Sequence, residues 1–273
     1  MRSRPHMDAR EGSFARIRPD AWIATAYVTR DDARELAREL LGPRAVVSDE
    51  DTSDAFVRSA DGDVCATARG TRFTRLRGRR CVSFGGVVNA RVTLSRDDFP
   101  PLVRKLMQRV STSAGTLVAT NDAPDESMEK MKATTSFMAN HALVNIYDET
   151  EGIMPHEDGP LYRDVVCIVS IGASRVIQFT PKQTGEGTTS LMAFDVFLPH
   201  RSLFVFTGEA YCSYLHAIKS GDRFDEKSAS SINVENFPPG CDVVERQGYR
   251  ISLTFRQVLN ARRAPAFLTK PRT

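Results

Sequence analysis

From Ala142 to Val258 the chain is a succession of short runs of β-branched and aromatic residues, separated by Gly, Pro, Asp, Asn and Ser. The runs are ALVNIY, VVCIVSIG, RVIQFT, TSLMAF, RSLFVFTG, YLHAI and YRISLTFRQV. Runs of this length and composition form strands, and several in a row with turn residues between them point to an antiparallel sandwich or barrel. The last is the most regular. Ile251, Leu253 and Phe255 alternate with Arg250, Ser252, Thr254 and Arg256. Successive side chains on a strand point to opposite faces, so one face is apolar and the other carries both arginines.

Upstream the periodicity is different. Ala33, Leu36, Ala37, Leu40 and Leu41 recur at helical spacing, with Asp31 and Asp32 at the start and Gly42-Pro43 at the end. A second helix is expected from about Pro101 to Val110, where Leu102, Leu106, Met107 and Val110 face one way. Residues 121–135 read as a loop, and 66–86 are rich in Gly and Arg. The fold class expected is α+β, mainly β, with N-terminal helices supporting a β core. The expected division is a loose arm over residues 1–20, a single domain over 21–258 and a basic tail over 259–273.

Composition narrows the function classes. The net charge is only +3 over 273 residues, which excludes a histone-like chain and an acidic tail protein. No run of about 18 apolar residues exists, so no membrane helix is expected. The N-terminus has arginines but no apolar core of a secretory signal. Five cysteines, an odd number, lack C-x-x-C spacing, which argues against a disulfide framework and a structural zinc site. A reducing compartment, cytoplasm or nucleus, is expected.

Five histidines limit the chemistry. In GIMPHEDGPLY, His156 and Asp158 are two apart and share a face if the segment is extended. With His216 of YLHAI they would give two imidazoles and one carboxylate, the donor set of non-haem iron oxygenases. The plain alternative is a surface loop with two polar residues. The two arginines of RISLTFR, about 20 Å apart at Cα, are costly on an inner face unless an anion meets them. Arginine suits bidentate recognition of a carboxylate. The alternative is an edge strand with solvated arginines. Asn145 and Tyr147 share a face of the strand before His156, where an amide and a phenol can hydrogen-bond an acid, or simply face water. His141 reads as structural, His200 as exposed in a turn, Trp22 as packing, and Cys212 and Tyr214 as neighbours of His216.

Together, N-x-Y, GI-x-x-H-x-D, a distant His and R-x5-R resemble the AlkB-like branch of the Fe(II)/2-oxoglutarate-dependent dioxygenases. The run GIMPHEDGPLY resembles its sixth homologue subgroup in particular. The resemblance is strongest over about 140–258. It implies a double-stranded β-helix (jelly roll) core over that span and a substrate lid at about 66–90, where LRGRRCVSFGG lies. It likens FPPLVRKLMQRV to the helix before the first core strand. It further implies that His156, Asp158 and His216 bind iron, and that Asn145, Tyr147, Arg250, Ser252 and Arg256 serve the cosubstrate. The cofactors implied are Fe(II), 2-oxoglutarate and O2, and the implied reaction is oxidative removal of an N-methyl group as formaldehyde. Two positions depart from the family. Pro160 stands where bacterial-type members carry an acidic residue that contacts the base, and Ser252 where many carry Asn.

RGTRFTRLRGRR, residues 69–80, holds six arginines and no acid. Arg72, Phe73, Arg75, Arg77, Arg79 and Arg80 are therefore candidates to meet RNA or single-stranded DNA. The tail adds Arg262, Arg263, Lys270 and Arg272. The alternatives are the same oxygenase chemistry on a protein side chain, or a non-catalytic nucleic-acid-binding member of the fold. A monomer is expected.

Overall fold

The computed structural model describes residues 13–48, 57–59, 66–68, 70–88, 93–95, 97–121, 137–183 and 191–263. Strands β1 (Phe14–Arg18) and β2 (Ala21–Ala24) lead into helix α1 (Arg30–Leu41). The helix starts where the Thr29 hydroxyl oxygen accepts from the Asp32 amide at 3.1 Å, a cap that satisfies an otherwise orphaned donor. Asp31 and Asp32 lie in its first turn and complement its dipole. It stops at Gly42, whose φ of 102° costs other residues steric strain. Its stripe of Ala33, Leu36, Ala37, Leu40 and Leu41 is buried as expected.

Short strands β3 (Ala45–Val47), β4 (Val57–Ser59), β5 (Thr74–Leu76), β6 (Arg79–Phe84), β7 (Gly86–Val88) and β8 (Thr93–Ser95) follow, then helix α2 (Pro101–Asn121). This helix runs well past Val110, where it was expected to end. The hydroxyls of Ser111, Thr112 and Thr116 turn back onto the carbonyls of Met107, Gln108 and Thr112, so these polar residues are absorbed along the helix. Ala114 is buried, and Leu117 and Val118 pack on the core.

The C-terminal half holds β9 (His141–Tyr147), β10 (Ile153–His156), β11 (Tyr162–Gly172), β12 (Arg175–Pro181), β13 (Phe194–Leu198), β14 (Leu203–Thr207), the short α3 (Gly208–Cys212), β15 (Tyr214–Ile218), β16 (Phe224–Glu226), β17 (Val243–Glu245), β18 (Arg250–Val258) and β19 (Arg262–Arg263). Among the described residues, one antiparallel sheet has the order β1-β2-β14-β11-β18-β9-β6-β5, and a smaller one β10-β15-β12-β13. The chain alternates between them: β9 large, β10 small, β11 large, β12 and β13 small, β14 large, β15 small, β18 large. That winding is the double-stranded β-helix, or jelly roll.

Alternation places the layers. Val165, Cys167, Val169 and Ile171 of β11, Leu253 and Phe255 of β18, and Val144 and Ile146 of β9 join Leu36, Leu40, Val103, Leu106 and Val110 in one cluster beneath the helices. Val166 and Ile168 of β11 and Phe204 and Phe206 of β14 face the other way. They meet Ile177, Phe179, Phe194 and Val196 of the small sheet. Phe179 stacks on Phe194 with centroids 4.5 Å apart, and fully burying each such ring stabilises by about 1.5–3 kcal/mol. The large sheet is thus covered on both faces, which is why VVCIVSIG is apolar throughout.

Three boundaries differ from expectation. The arm proposed over 1–20 contains β1, whose edge is anchored by Arg18 donating to Asp20 and Glu209; residues 1–12 lie outside the described residues. Of the described residues of the run TSLMAF, only its last, Phe194, lies in a strand; Thr189 and Ser190 lie outside the described residues. The tail begins with β19, paired in parallel with β8. Residues 264–273, with Lys270 and Arg272, lie outside the described residues, as do 122–135 of the expected loop.

A candidate active site between the two sheets

The inner face of the large sheet is laid out in rows by strand register. Tyr147 stands opposite Arg250, Asn145 opposite Ser252, Leu143 opposite Thr254, and His141 opposite Arg256. The next strand continues all four rows, with Gly172 opposite Arg250, Ser170 opposite Ser252, Ile168 opposite Thr254 and Val166 opposite Arg256. Asn145, Tyr147, Arg250, Ser252 and Arg256 therefore line one pocket, together with His156, Asp158 and His216 from the small-sheet side. All eight residues singled out from the sequence for iron and cosubstrate meet there.

At one end of the pocket Arg250 is 1% exposed. Its Nη2 donates to the Ser170 hydroxyl at 3.0 Å, and its guanidinium lies 5.5 Å from the Tyr147 ring centre. Its Nε and Nη1 are buried with no partner. Burial pushes Arg250 down to about 10, which still leaves it charged at neutral pH. Burial likewise raises the Tyr147 phenol, so it stays a neutral hydrogen-bonding group. A charged fork with two unmet donors is the environment that an anionic oxygen relieves.

At the other end the histidines face each other across a strand pair. His156 of β10 is the register partner of His216 of β15, with ring centroids 4.2 Å apart. His156 Nδ1 bonds the Met154 carbonyl at 2.9 Å. That bond requires the proton on Nδ1 and leaves Nε2 with a lone pair. Burial, then the neighbouring His156, pushes His216 down to about 4. Burial also lowers His156. Phe179 and Phe206 wall His216 at 5.8 and 5.4 Å. Asp158 is ion-paired with Arg256, whose guanidinium sits 4.2 Å over the Tyr162 ring. The second carboxylate oxygen of Asp158, Oδ2, is buried and unpartnered.

Among the described residues, no three His, Cys, Asp or Glu side chains converge closely enough to hold a metal ion as they stand. Asp158 is engaged by Arg256 instead. The donors nevertheless fit a divalent iron: two imidazoles kept neutral by burial, and one carboxylate oxygen that lacks a cation. Gly152, the glycine of the GI-x-x-H-x-D segment, explains itself here. A Cβ on it would meet the Ile218 carbonyl oxygen at 2.2 Å, and Ile218 pairs with Ile153 at the start of the ladder that joins the two histidines.

Of the arginine strip, Arg72, Arg75 and Arg77 are exposed, and Arg75 reaches Glu151 at 3.1 Å. Arg79 lines the pocket and donates to Asn145 Oδ1 at 2.9 Å. Two members differ from expectation. Arg80 is buried near Glu151 and over the Tyr249 ring, and Phe73 packs against the helix-side core instead of offering a free face. The strand face explains Arg80, which stands with Val82 and Phe84 on the buried side of β6.

Several residues were missed. His141, read as structural, is indeed buried, beside Arg256, and burial pushes it down to about 3, a shift the sequence did not show. Tyr211 donates to the Asp158 and Gly159 carbonyls at 3.4 and 3.3 Å. Arg175 is fully buried, bonding the Ser174 and Asp148 carbonyls at 2.9 Å each. His200 is half-buried, not exposed, and its Nδ1 accepts from the Gly172 amide at 2.8 Å. No local pattern marks these positions; each depends on a partner distant in sequence.

The model of the 2OG-Fe(II) oxygenase superfamily matches residues 88–256. The probable RNA/DNA demethylase ALKBH6 of Danio rerio is 28% identical over 205 residues, covering 73% of this chain and 79% of that protein. The tRNA (carboxymethyluridine(34)-5-O)-methyltransferase ALKBH8 of Macaca fascicularis is 34% identical over 123 residues, 42% of this chain but only 17% of that larger protein. The solved structure of OsALKBH1 superposes with a TM-score of 0.49 at 13% identity, covering 90% of this chain and all of that one.

Proposed function

Because the chain belongs to the 2OG-Fe(II) oxygenase superfamily and is an AlkB-like dioxygenase within it, we propose that it removes alkyl groups oxidatively from RNA or single-stranded DNA. The observation that carries this reading is the placement of the β5–β6 hairpin. Its exposed arginines, Arg75 and Arg77, with Arg72 just before it, adjoin a pocket that the same hairpin lines through Arg79. The relative in Danio rerio, a probable RNA/DNA demethylase, supports the same substrate class.

The residues divide the work. His156, Asp158 and His216 would hold the iron. Arg250, with Ser170 beside it, would pair with the distal carboxylate of 2-oxoglutarate, while Asn145, Tyr147 and Ser252 would hydrogen-bond the same molecule. Iron, 2-oxoglutarate and O2 together supply hydroxylation of a substrate C–H, after which an N-hydroxymethyl group leaves as formaldehyde. Arg256 fixes the Asp158 carboxylate through their ion pair. Leu143, Ile153, Ile168 and Ile177 line the pocket with apolar surface and limit water. A site enclosed between two sheets takes a base only after it leaves its stack, which favours a single strand over a duplex. The free cysteines among the described residues, Cys81, Cys167, Cys212 and Cys241, suit work in the cytoplasm or nucleus.

The test is binding of a labelled single-stranded oligoribonucleotide across a salt series. Affinity should fall steeply with salt, and Arg72→Gln and Arg77→Gln should each lower the slope by about one. Salt-insensitive or absent binding, with 2-oxoglutarate turnover intact, overturns the nucleic-acid reading and directs the search to a protein side chain.

A further inference from the structure

Arg79 and Asn145 meet across the β6–β9 pair. Cys81 is the register partner of Asn145, so Arg79, two residues earlier on the same face, sits diagonally from it, within reach of a long side chain. The contact is one hydrogen bond, Arg79 Nε to Asn145 Oδ1 at 2.9 Å. Asn145 is 4% exposed, and both residues line the pocket that also holds Arg250 and Ser252.

The chemistry of the pair has a direction. A guanidinium has donors and no acceptor, whereas an asparagine amide ends in one acceptor oxygen and one donor nitrogen. Only the oxygen can receive Arg79. The Asn145 NH2 is thereby left for the other side of the amide. Rotated by 180°, the same side chain would set two donors against each other and show an oxygen where an anionic ligand must be met.

We propose that Arg79 is a positioning residue for the cosubstrate: it fixes the Asn145 amide with its NH2 toward the carboxylate of 2-oxoglutarate. The role ties the β5–β6 hairpin, which carries the exposed arginines, to occupancy of the cosubstrate site. It rests on the reading of Asn145 as a cosubstrate residue. It differs from a direct ionic role because its effect runs through the amide.

The test is calorimetric titration of the Mn(II)-loaded, full-length protein with 2-oxoglutarate. Arg79→Met should weaken binding by roughly tenfold or more, the loss expected for one charged hydrogen bond. Arg79→Lys, again a donor without an acceptor, should restore most of it. In turnover, Arg79→Met should raise KM for 2-oxoglutarate and leave kcat at saturation. Asn145→Ala should weaken binding on its own, and adding Arg79→Met to it should cost less than twofold more. Wild-type affinity in Arg79→Met overturns the inference. So does an undiminished loss in the Asn145→Ala background, which would mean that the guanidinium acts on the ligand directly. No effect of Asn145→Ala alone overturns the assignment of Asn145 on which the inference rests.

Discussion

Arg256 is ion-paired with Asp158, and each side chain is only 7% exposed. The pair places a carboxylate where water cannot neutralise it. Arg256→Leu leaves that charge buried without a cation, which costs about 3–5 kcal/mol in the metal-free protein. A divalent ion at Asp158 would offset part of the loss. Thermal unfolding with and without Mn(II) checks this: the metal-induced rise in Tm should be larger in the variant than in the wild type. Equal rises would mean that Asp158 does not meet the ion.

The two ends of the pocket should be separable by spectroscopy. Anaerobic addition of Fe(II) and 2-oxoglutarate should give a weak visible charge-transfer band. His156→Ala should abolish it. Arg250→Ala should leave the band attainable but shift the titration to much higher 2-oxoglutarate, since Arg250 addresses the far carboxylate and not the metal. A folded wild type that shows no band would remove the metal assignment.

Acid should destabilise the metal-free protein before its carboxylates titrate. His141 and His216 are held down to about 3 and about 4, chiefly by burial, against about 6.5 in an unfolded chain. Below pH 6.5 the unfolded state therefore binds protons that the fold refuses. The stability they leave intact at neutral pH is lost as pH falls toward those values, at about 1.4 kcal/mol per pH unit for each group. Burial of His156 acts in the same direction. Urea unfolding at pH 7 and 5.5 should show the fall, and His141→Phe should flatten it. A variant as pH-sensitive as the wild type would assign the effect elsewhere.

Gly152→Ala should uncouple the histidines. The new methyl has to displace the Ile218 backbone, at roughly 1–3 kcal/mol for overpacking. Because the displacement occurs on the ladder joining His156 to His216, metal affinity should fall more than global stability does. Mn(II) titration beside urea unfolding decides it; an unchanged metal affinity would show that the ladder absorbs the shift.

What the sequence made legible was whatever repeats with a fixed period. The α1 stripe and the alternation of Arg250–Arg256 each encode a face, and the face puts the side chains together without knowledge of the rest of the fold. The spacing of the H-x-D pair was legible too, but β10 ends at His156 and Asp158 lies past the strand, so its place in the pocket was set by the loop and by Arg256. Parity also held information that went unused: Arg80 shares its face with Val82 and Phe84, which already argued against a role at the surface. The end of α2 was hidden because hydroxyl side chains bonded to their own helix look like a loop. The tie from Arg79 to Asn145, the burial of Arg175 and the acceptor role of His200 depend on strand pairings between distant segments, and no short window contains them.

Strand β18 has helices on one side and the pocket on the other. A slip of one residue in its pairing would turn Ile251, Leu253 and Phe255 into the pocket and drive Arg250 and Arg256 under α1 and α2. Two charges against an apolar layer make that misalignment far costlier than the loss of a few ladder bonds. The residues that await ligands thus also proofread the assembly of the sheet, and a chain that folds around β18 at all has, by the same act, set both ends of its chemistry in place.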